Sequence, residues 1–111
     1  MLGCNQDITL WKRKKIPATS QEIFVRHVIP VKCKWKDKII IVPYCGAVSE
    51  LNIKDGDVAA LGVYDIDITG ATPYTVSEVK QLLAPNIITV KSVTFNCDTE
   101  MKGKHLRLTG N

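Results

Sequence analysis

The sequence predicts a single mainly β domain over residues 1–111, a small barrel of about six strands with one short α-helix. Three observations carry this. From Ile23 to Trp35 the odd positions Ile23, Val25, His27, Ile29, Val31, Cys33 and Trp35 are mostly apolar, while Arg26, Lys32, Lys34 and Lys36 fall between them. That is the period of a strand with one face on a core. Elsewhere, short apolar runs are separated by turn residues, as in an all-β chain. Only Thr75–Ala84 carries apolar residues at helical spacing. The 111 residues suffice for one core, and the 45% apolar content is that of a globular chain.

The elements follow in order. Asp7–Lys12 reads as a first strand, with Ile8 and Leu10 on one face and Thr9 and Trp11 on the other. The basic run Lys12–Lys15 and Ile16–Gln21 then form a loop. The long alternating strand bends, bulges or lies at an edge at Pro30, which has no N–H for a ladder. Lys38–Tyr44 is a strand apolar on both faces, ended by Pro43 and Gly46. Asp55-Gly56 is a tight turn that feeds a buried strand, Val58–Val63. Gly62, Gly70 and Pro73 mark a long connection, with Tyr64–Tyr74 as an exposed contact loop. The helix takes Thr75 or Ser77 as cap and Pro85 as stop, and Val76, Val79, Leu82 and Leu83 make its stripe. In Asn86–Cys97 the apolar parity switches from Ile88 and Val90 to Val93 and Phe95, which a bulge near Lys91-Ser92 explains. Asp98–Gly103 turns the chain, and Lys104–Thr109 closes it. The expected core is Val25, Ile29, Val31, Ile40, Val58, Leu61, Val90, Phe95 and Leu108, with the helix over one open end of the barrel.

No chemistry converges in the sequence. His27 and His105 are at ligand spacing from no cysteine, so no metal is expected, and His27 reads as a core residue. Cys4, Cys33, Cys45 and Cys97 include no CxxC. The N-terminus lacks the pattern of a signal peptide, so the chain is expected to fold in a reducing cytosol with its cysteines as small hydrophobes. No triad signature, phosphate-binding glycine loop or EF-hand is present. The expectation is therefore a binding protein: no enzyme, no cofactor, no small-molecule substrate. No apolar run approaches membrane-span length.

The net charge of +4 is concentrated locally. Arg26, Lys32, Lys34 and Lys36 form a basic surface, and Asp55, Asp57, Asp65 and Asp67 form an acidic loop surface. Two unlike surfaces of opposite charge suit side-by-side docking of identical subunits. The rival reading is a nucleic-acid-binding barrel of the OB or SH3 type, with those lysines on phosphates and Trp11, Trp35, Tyr44, Tyr64 and Tyr74 as stacking platforms. Against it, Trp35 falls on the parity opposite the lysines.

The order of motifs resembles a family of small proteins from the structural gene block of tailed phages. Asp7-Ile8-Thr9-Leu10-Trp11 opens the chain, and Phe24-Val25-Arg26-His27-Val28-Ile29 leads into Val31-Lys32-Cys33-Lys34-Trp35. Ile53–Gly62 follows, and Ile88–Val93 precedes Lys104–Gly110. These look like minor capsid or head–tail connector proteins of the neck, head–tail stoppers among them. The resemblance implies a small barrel without catalytic residues or cofactor. It implies a homomeric ring, hexameric or dodecameric, between portal or adaptor and tail, close to genomic DNA without reading its sequence. It also implies a virion location after synthesis in the host bacterial cytoplasm.

Overall fold

Alternation and turn chemistry produce seven strands and two helices in the computed structural model, which describes residues 4–18, 22–98 and 103–110. The strands are β1 (Ile8–Lys15), β2 (Glu22–Val28), β3 (Lys34–Lys36), β4 (Ile39–Pro43), β5 (Val58–Leu61), β6 (Ile87–Asp98) and β7 (Gly103–Gly110). Helix α1 (Gly46–Leu51) lies between β4 and β5, and α2 (Val76–Leu83) between β5 and β6. All strands pair antiparallel in one sheet, in the order β2-β1-β5-β6-β7-β4-β3.

The sheet is open, which corrects the expected barrel. The reason lies in the segment expected to be one long strand. It stops at Val28, turns through Pro30, and resumes as the three residues of β3. A strand that short cannot sustain a closing ladder, and Gln6 and Cys33 form only an isolated bridge. Gln6 also caps the edge of β3, where its Oε1 accepts the Trp35 N–H at 2.8 Å. The basic run is likewise no loop, because Lys12–Lys15 extend β1. Residues 19–21 of the expected Ile16–Gln21 loop, and 99–102 of the expected Asp98–Gly103 turn, lie outside the described residues.

Each face of the sheet carries a core. On the inner face Ile8, Leu10, Ile29, Cys33, Ile40, Val42, Ala59, Ile88, Val90, Leu106 and Leu108 pack together, with Val48 of α1 and Ile53 beneath them. On the outer face Trp11, Val58, Ala60 and Ile87 are covered by Ile68 and by Val79 of α2. The register of β6 on β7 slips between Val90 and Ser92, the bulge that the parity switch predicts, and so Val90 and Val93 both face inward. Of the expected core, Ile29, Ile40, Val58, Val90 and Leu108 are buried, and Val25, Val31 and Leu61 are half-buried. Phe95 is 50% exposed, since β6 runs on past the inner core, and there its ring meets Tyr44 edge-on at 4.8 Å. His27 is half-buried on the edge strand rather than a core residue.

Local chemistry explains α2 but not α1. Thr75 caps α2 by accepting the Glu78 N–H, and Val79 is its buried anchor. Helix α1 has no side-chain cap at Cys45 and ends on Asn52 in the left-handed conformation at φ 49°. It has neither a polar N-cap nor a repeated apolar stripe, so the sequence gives no helical signal there.

Candidate binding surface

The residues expected to form one basic surface separate in the fold. Arg26 sits on β2, where its guanidinium meets Asp67 Oδ1 at 2.8 Å. Lys32 sits in the link before β3 and meets Asp7 Oδ1 at 2.7 Å. Lys34 and Lys36 flank Trp35 on β3 at the far end of the sheet order from β2. Both are exposed, while Trp35 turns toward the inner core.

The acidic group divides as well. Asp55, Asp65 and Asp67 are exposed, but Asp57 is fully buried, so it is no surface residue. Its Oδ2 accepts from Lys12 Nζ at 2.9 Å and from the Lys54 N–H at 3.0 Å, and its Oδ1 accepts from the Arg13 N–H at 2.9 Å. With Lys12 only 6% exposed, this is a buried ion pair that ties the 54–57 turn to β1. Gly56 stands at φ +92°, under the Arg13 guanidinium. A side chain there would meet both backbone strain and the arginine. Asp55-Gly56 is thus turn chemistry, and the buried carboxylate that follows fixes the turn to the sheet.

The connection after β5 is mostly committed to the outer core. Trp11 Nε1 donates to the Ile66 carbonyl at 2.8 Å. Thr9 Oγ1 donates to the Gly62 carbonyl at 2.8 Å and accepts the Tyr64 N–H at 3.1 Å. Ile68 is buried. Within the expected contact loop Tyr64–Tyr74, Tyr64, Ile66 and Ile68 pack as a cover on the outer core, while Asp65, Asp67 and residues 69–74 are exposed.

The fold does bring together a group that the charge clusters alone do not reveal. Register places Lys34 beside Ile41 and Lys36 beside Ile39, then Ile41 beside Arg107. These residues share the outer face of β3, β4 and β7, opposite Ile40, Val42, Leu106 and Leu108. With Asp37 they line a shallow groove of about 310 Å³. Half-buried Ile39 and Ile41 form its floor, with two lysines along one side and Arg107 across it. Thr109, Ser92 and Thr94 continue the same face with hydroxyls, Ser92 and Thr109 hydrogen-bonding to each other. Lys34 and Lys36 lie two residues apart on one strand, about 6.6–6.8 Å along it. Arg107 was legible in the final strand, where Leu106 and Leu108 alternate with Arg107 and Thr109. What sequence could not supply was the pairing of that strand with β4.

The arrangement offers cations, the Asp37 carboxylate and apolar contact. Cys33 is a core thiol, and burial, reinforced by the neighbouring Cys4 and Asp7, pushes it up to about 12. It stays protonated at neutral pH and donates to the Val31 carbonyl at 3.4 Å, the opposite of an activated nucleophile. Cys4, Cys33 and Cys45 are free thiols, and the side chain of Cys97 lies outside the described residues. Among the described residues no three His, Cys, Asp or Glu side chains gather as metal ligands, and no helix is long and apolar enough to cross a membrane. Compared with protein-family models, curated proteins and solved structures, the chain matches none.

Proposed function

We propose that this chain is a non-enzymatic structural subunit of the tailed-phage neck, a stopper-like head–tail connector. In this reading it joins copies of itself in a hexameric or dodecameric ring between portal or adaptor and tail. The observation that carries the reading is the outer face of β3, β4 and β7, which no described segment covers and where Lys34, Lys36 and Arg107 surround Ile39 and Ile41. Ring contacts are heterologous and need two unlike surfaces on one subunit. The basic face supplies one. The exposed carboxylates Asp55 and Asp65, on the connections flanking β5, supply the other. Arg26 and Lys32 drop out of this contact, because neither lines the groove. The order of sequence motifs supports the phage neck as the setting.

The nucleic-acid reading loses support from the aromatics. Trp11 is fully buried and Trp35 faces the inner core, so neither stands beside the lysines to stack a base. A cationic face without stacking groups binds DNA weakly and without sequence preference.

The Lys34→Glu/Lys36→Glu variant tests the proposal. It should fold normally, since both side chains are exposed, yet fail to add mass to portal-bearing heads that the unaltered protein joins. Particles assembled with it should leak DNA or lack tails. Normal infectious particles would remove the basic face from the mechanism. Tight, steeply salt-dependent binding of single-stranded DNA by the free subunit would favour the rival.

A further inference from the structure

The edge of β2 is a second surface, distinct from the groove. Ile29 donates its N–H to the Ile8 carbonyl at 2.9 Å, and Val28 lies opposite Thr9. In an antiparallel ladder the bonded pairs recur at every second residue. Ile23, Val25 and His27 therefore give their backbone groups to β1, and Glu22, Phe24, Arg26 and Val28 direct theirs away from it. Among the described residues no strand lies along that side. β2 contains no proline, no lysine and no bulge to oppose pairing, and its two charges, Glu22 and Arg26, are of opposite sign. Ile23 and Val28 are 39% and 45% exposed on it.

We infer that this edge pairs with the same edge of a second copy of the chain, in an antiparallel ladder centred on Phe24. Outward-directed residues must face outward-directed residues for the hydrogen bonds to form, which restricts the register to steps of two. Centred on Phe24, the ladder places Glu22 of each copy opposite Arg26 of the other and sets Ile23 opposite Val25 twice. Centred on Val25, it sets Glu22 against Val28 and gives no ion pair. Centred on Arg26, it sets arginine against arginine, a like-charge pair that opposes association. Charge complementarity thus selects both the partner, an identical strand, and one register. Within its own chain Arg26 meets Asp67 through one nitrogen and Glu22 meets Arg13 at 3.8 Å, and both groups keep capacity for a further ion pair. The pairing turns two open sheets into one continuous sheet through a two-fold axis. It is isologous, whereas ring contacts are heterologous, so it goes beyond the neck reading and stands or falls separately from it.

Sedimentation of the full chain across micromolar to millimolar concentration is the test. The mass should rise from 12.3 kDa toward twice that value. Glu22→Arg alone and Arg26→Glu alone should each stay monomeric, because each sets like charges opposite one another. An equimolar mixture of the two should recover the dimer. In the mixed pair the introduced arginine of one variant faces the introduced glutamate of the other, and the native Arg26 of the first faces the native Glu22 of the second. An unaltered chain that remains monomeric at millimolar concentration overturns the inference, and so does a mixture that remains monomeric while both variants are folded. Amide exchange on the unaltered chain gives an independent reading should Arg26→Glu fail to fold. The Phe24 and Arg26 amides should slow as concentration rises while that of Val25, already bonded to β1, does not. Equal behaviour of all three would also overturn it.

Discussion

Trp11 and Arg107 stand on the same face of one sheet and meet opposite fates. Trp11, on β1, is fully buried under the connection that follows β5, with Val79 of α2 in the same cluster. Arg107, on β7, is exposed at the groove, and among the described residues no segment of its own chain is laid over it. β1 is buried on both faces from Ile8 to Lys12, whereas β7 sets exposed Arg107 between buried Leu106 and Leu108. The connections make that difference. Between β5 and β6 the chain crosses the outer face, laying Ile66, Ile68 and α2 over β1, β5 and the start of β6. Between β3 and β4 only two residues intervene, so the chain turns back at once and leaves the outer face of β3, β4 and β7 bare. Covered sheet supplies stability, and bare sheet supplies surface for a partner.

The sharpest way to break the covered half is to remove a charge from it. Asp57→Asn leaves Lys12 buried without its counter-ion, while the turn keeps an acceptor of the same shape. Breaking a buried pair from one side costs about 3–5 kcal/mol, and both partners here are shielded from solvent. A urea midpoint lowered by that free energy divided by m, with m unchanged, is the expected outcome. A loss below about 1 kcal/mol, the range of exposed pairs, would mean that water reaches Lys12.

Adjacent isoleucines sharpen the comparison within one strand. Ile40 points into the inner core and is fully buried, whereas Ile41 floors the bare groove. Ile40→Ala should cost about 2–5 kcal/mol through lost transfer energy and the cavity left behind. Ile41→Thr should cost less than about 1 kcal/mol and leave β4 paired, since threonine keeps the branched β-carbon suited to a strand. Equal costs would show that something covers the groove.

The residues made the local pieces legible and the assembly less so. The Asp55-Gly56 turn, the Thr75-capped helix and the bulge after Val90 each follow from a few neighbouring residues, and each is where the sequence places it. Closure of the sheet was not legible, because it depends on whether two distant edges meet in register. Pro30 announced a bend without saying that the strand would end and restart. The charge surfaces failed for a related reason. Arg26 with Asp67, Lys32 with Asp7 and Lys12 with Asp57 are separated by tens of residues, and only the fold makes them partners. Counting charges along the chain overstated what remained for a neighbour and passed over Arg107.

The cover of the outer face gives the smallest effect. Thr75 Oγ1 accepts the Glu78 N–H at 3.2 Å and donates to Glu78 Oε1 at 2.8 Å, so the hydroxyl satisfies one backbone N–H of the first turn of α2 and the carboxylate orients the hydroxyl. Thr75→Ala removes both bonds and should lower stability by about 1 kcal/mol, read as a shift in the urea midpoint. Thr75→Ser keeps the hydroxyl and should recover most of the loss. The effect stays small because α2 is anchored from elsewhere: Val79 is fully buried against the outer core, and Lys80 Nζ reaches Thr89 Oγ1 at 2.9 Å. Fraying the first turn therefore loosens one end of the cover without uncovering Trp11. Indole fluorescence in the folded state distinguishes the two cases. An emission maximum unchanged from the parent chain fits a frayed end. A red shift on Thr75→Ala would mean that the whole helix lifts, which would make this cap, and not the packing of Val79, the main restraint on the covered half.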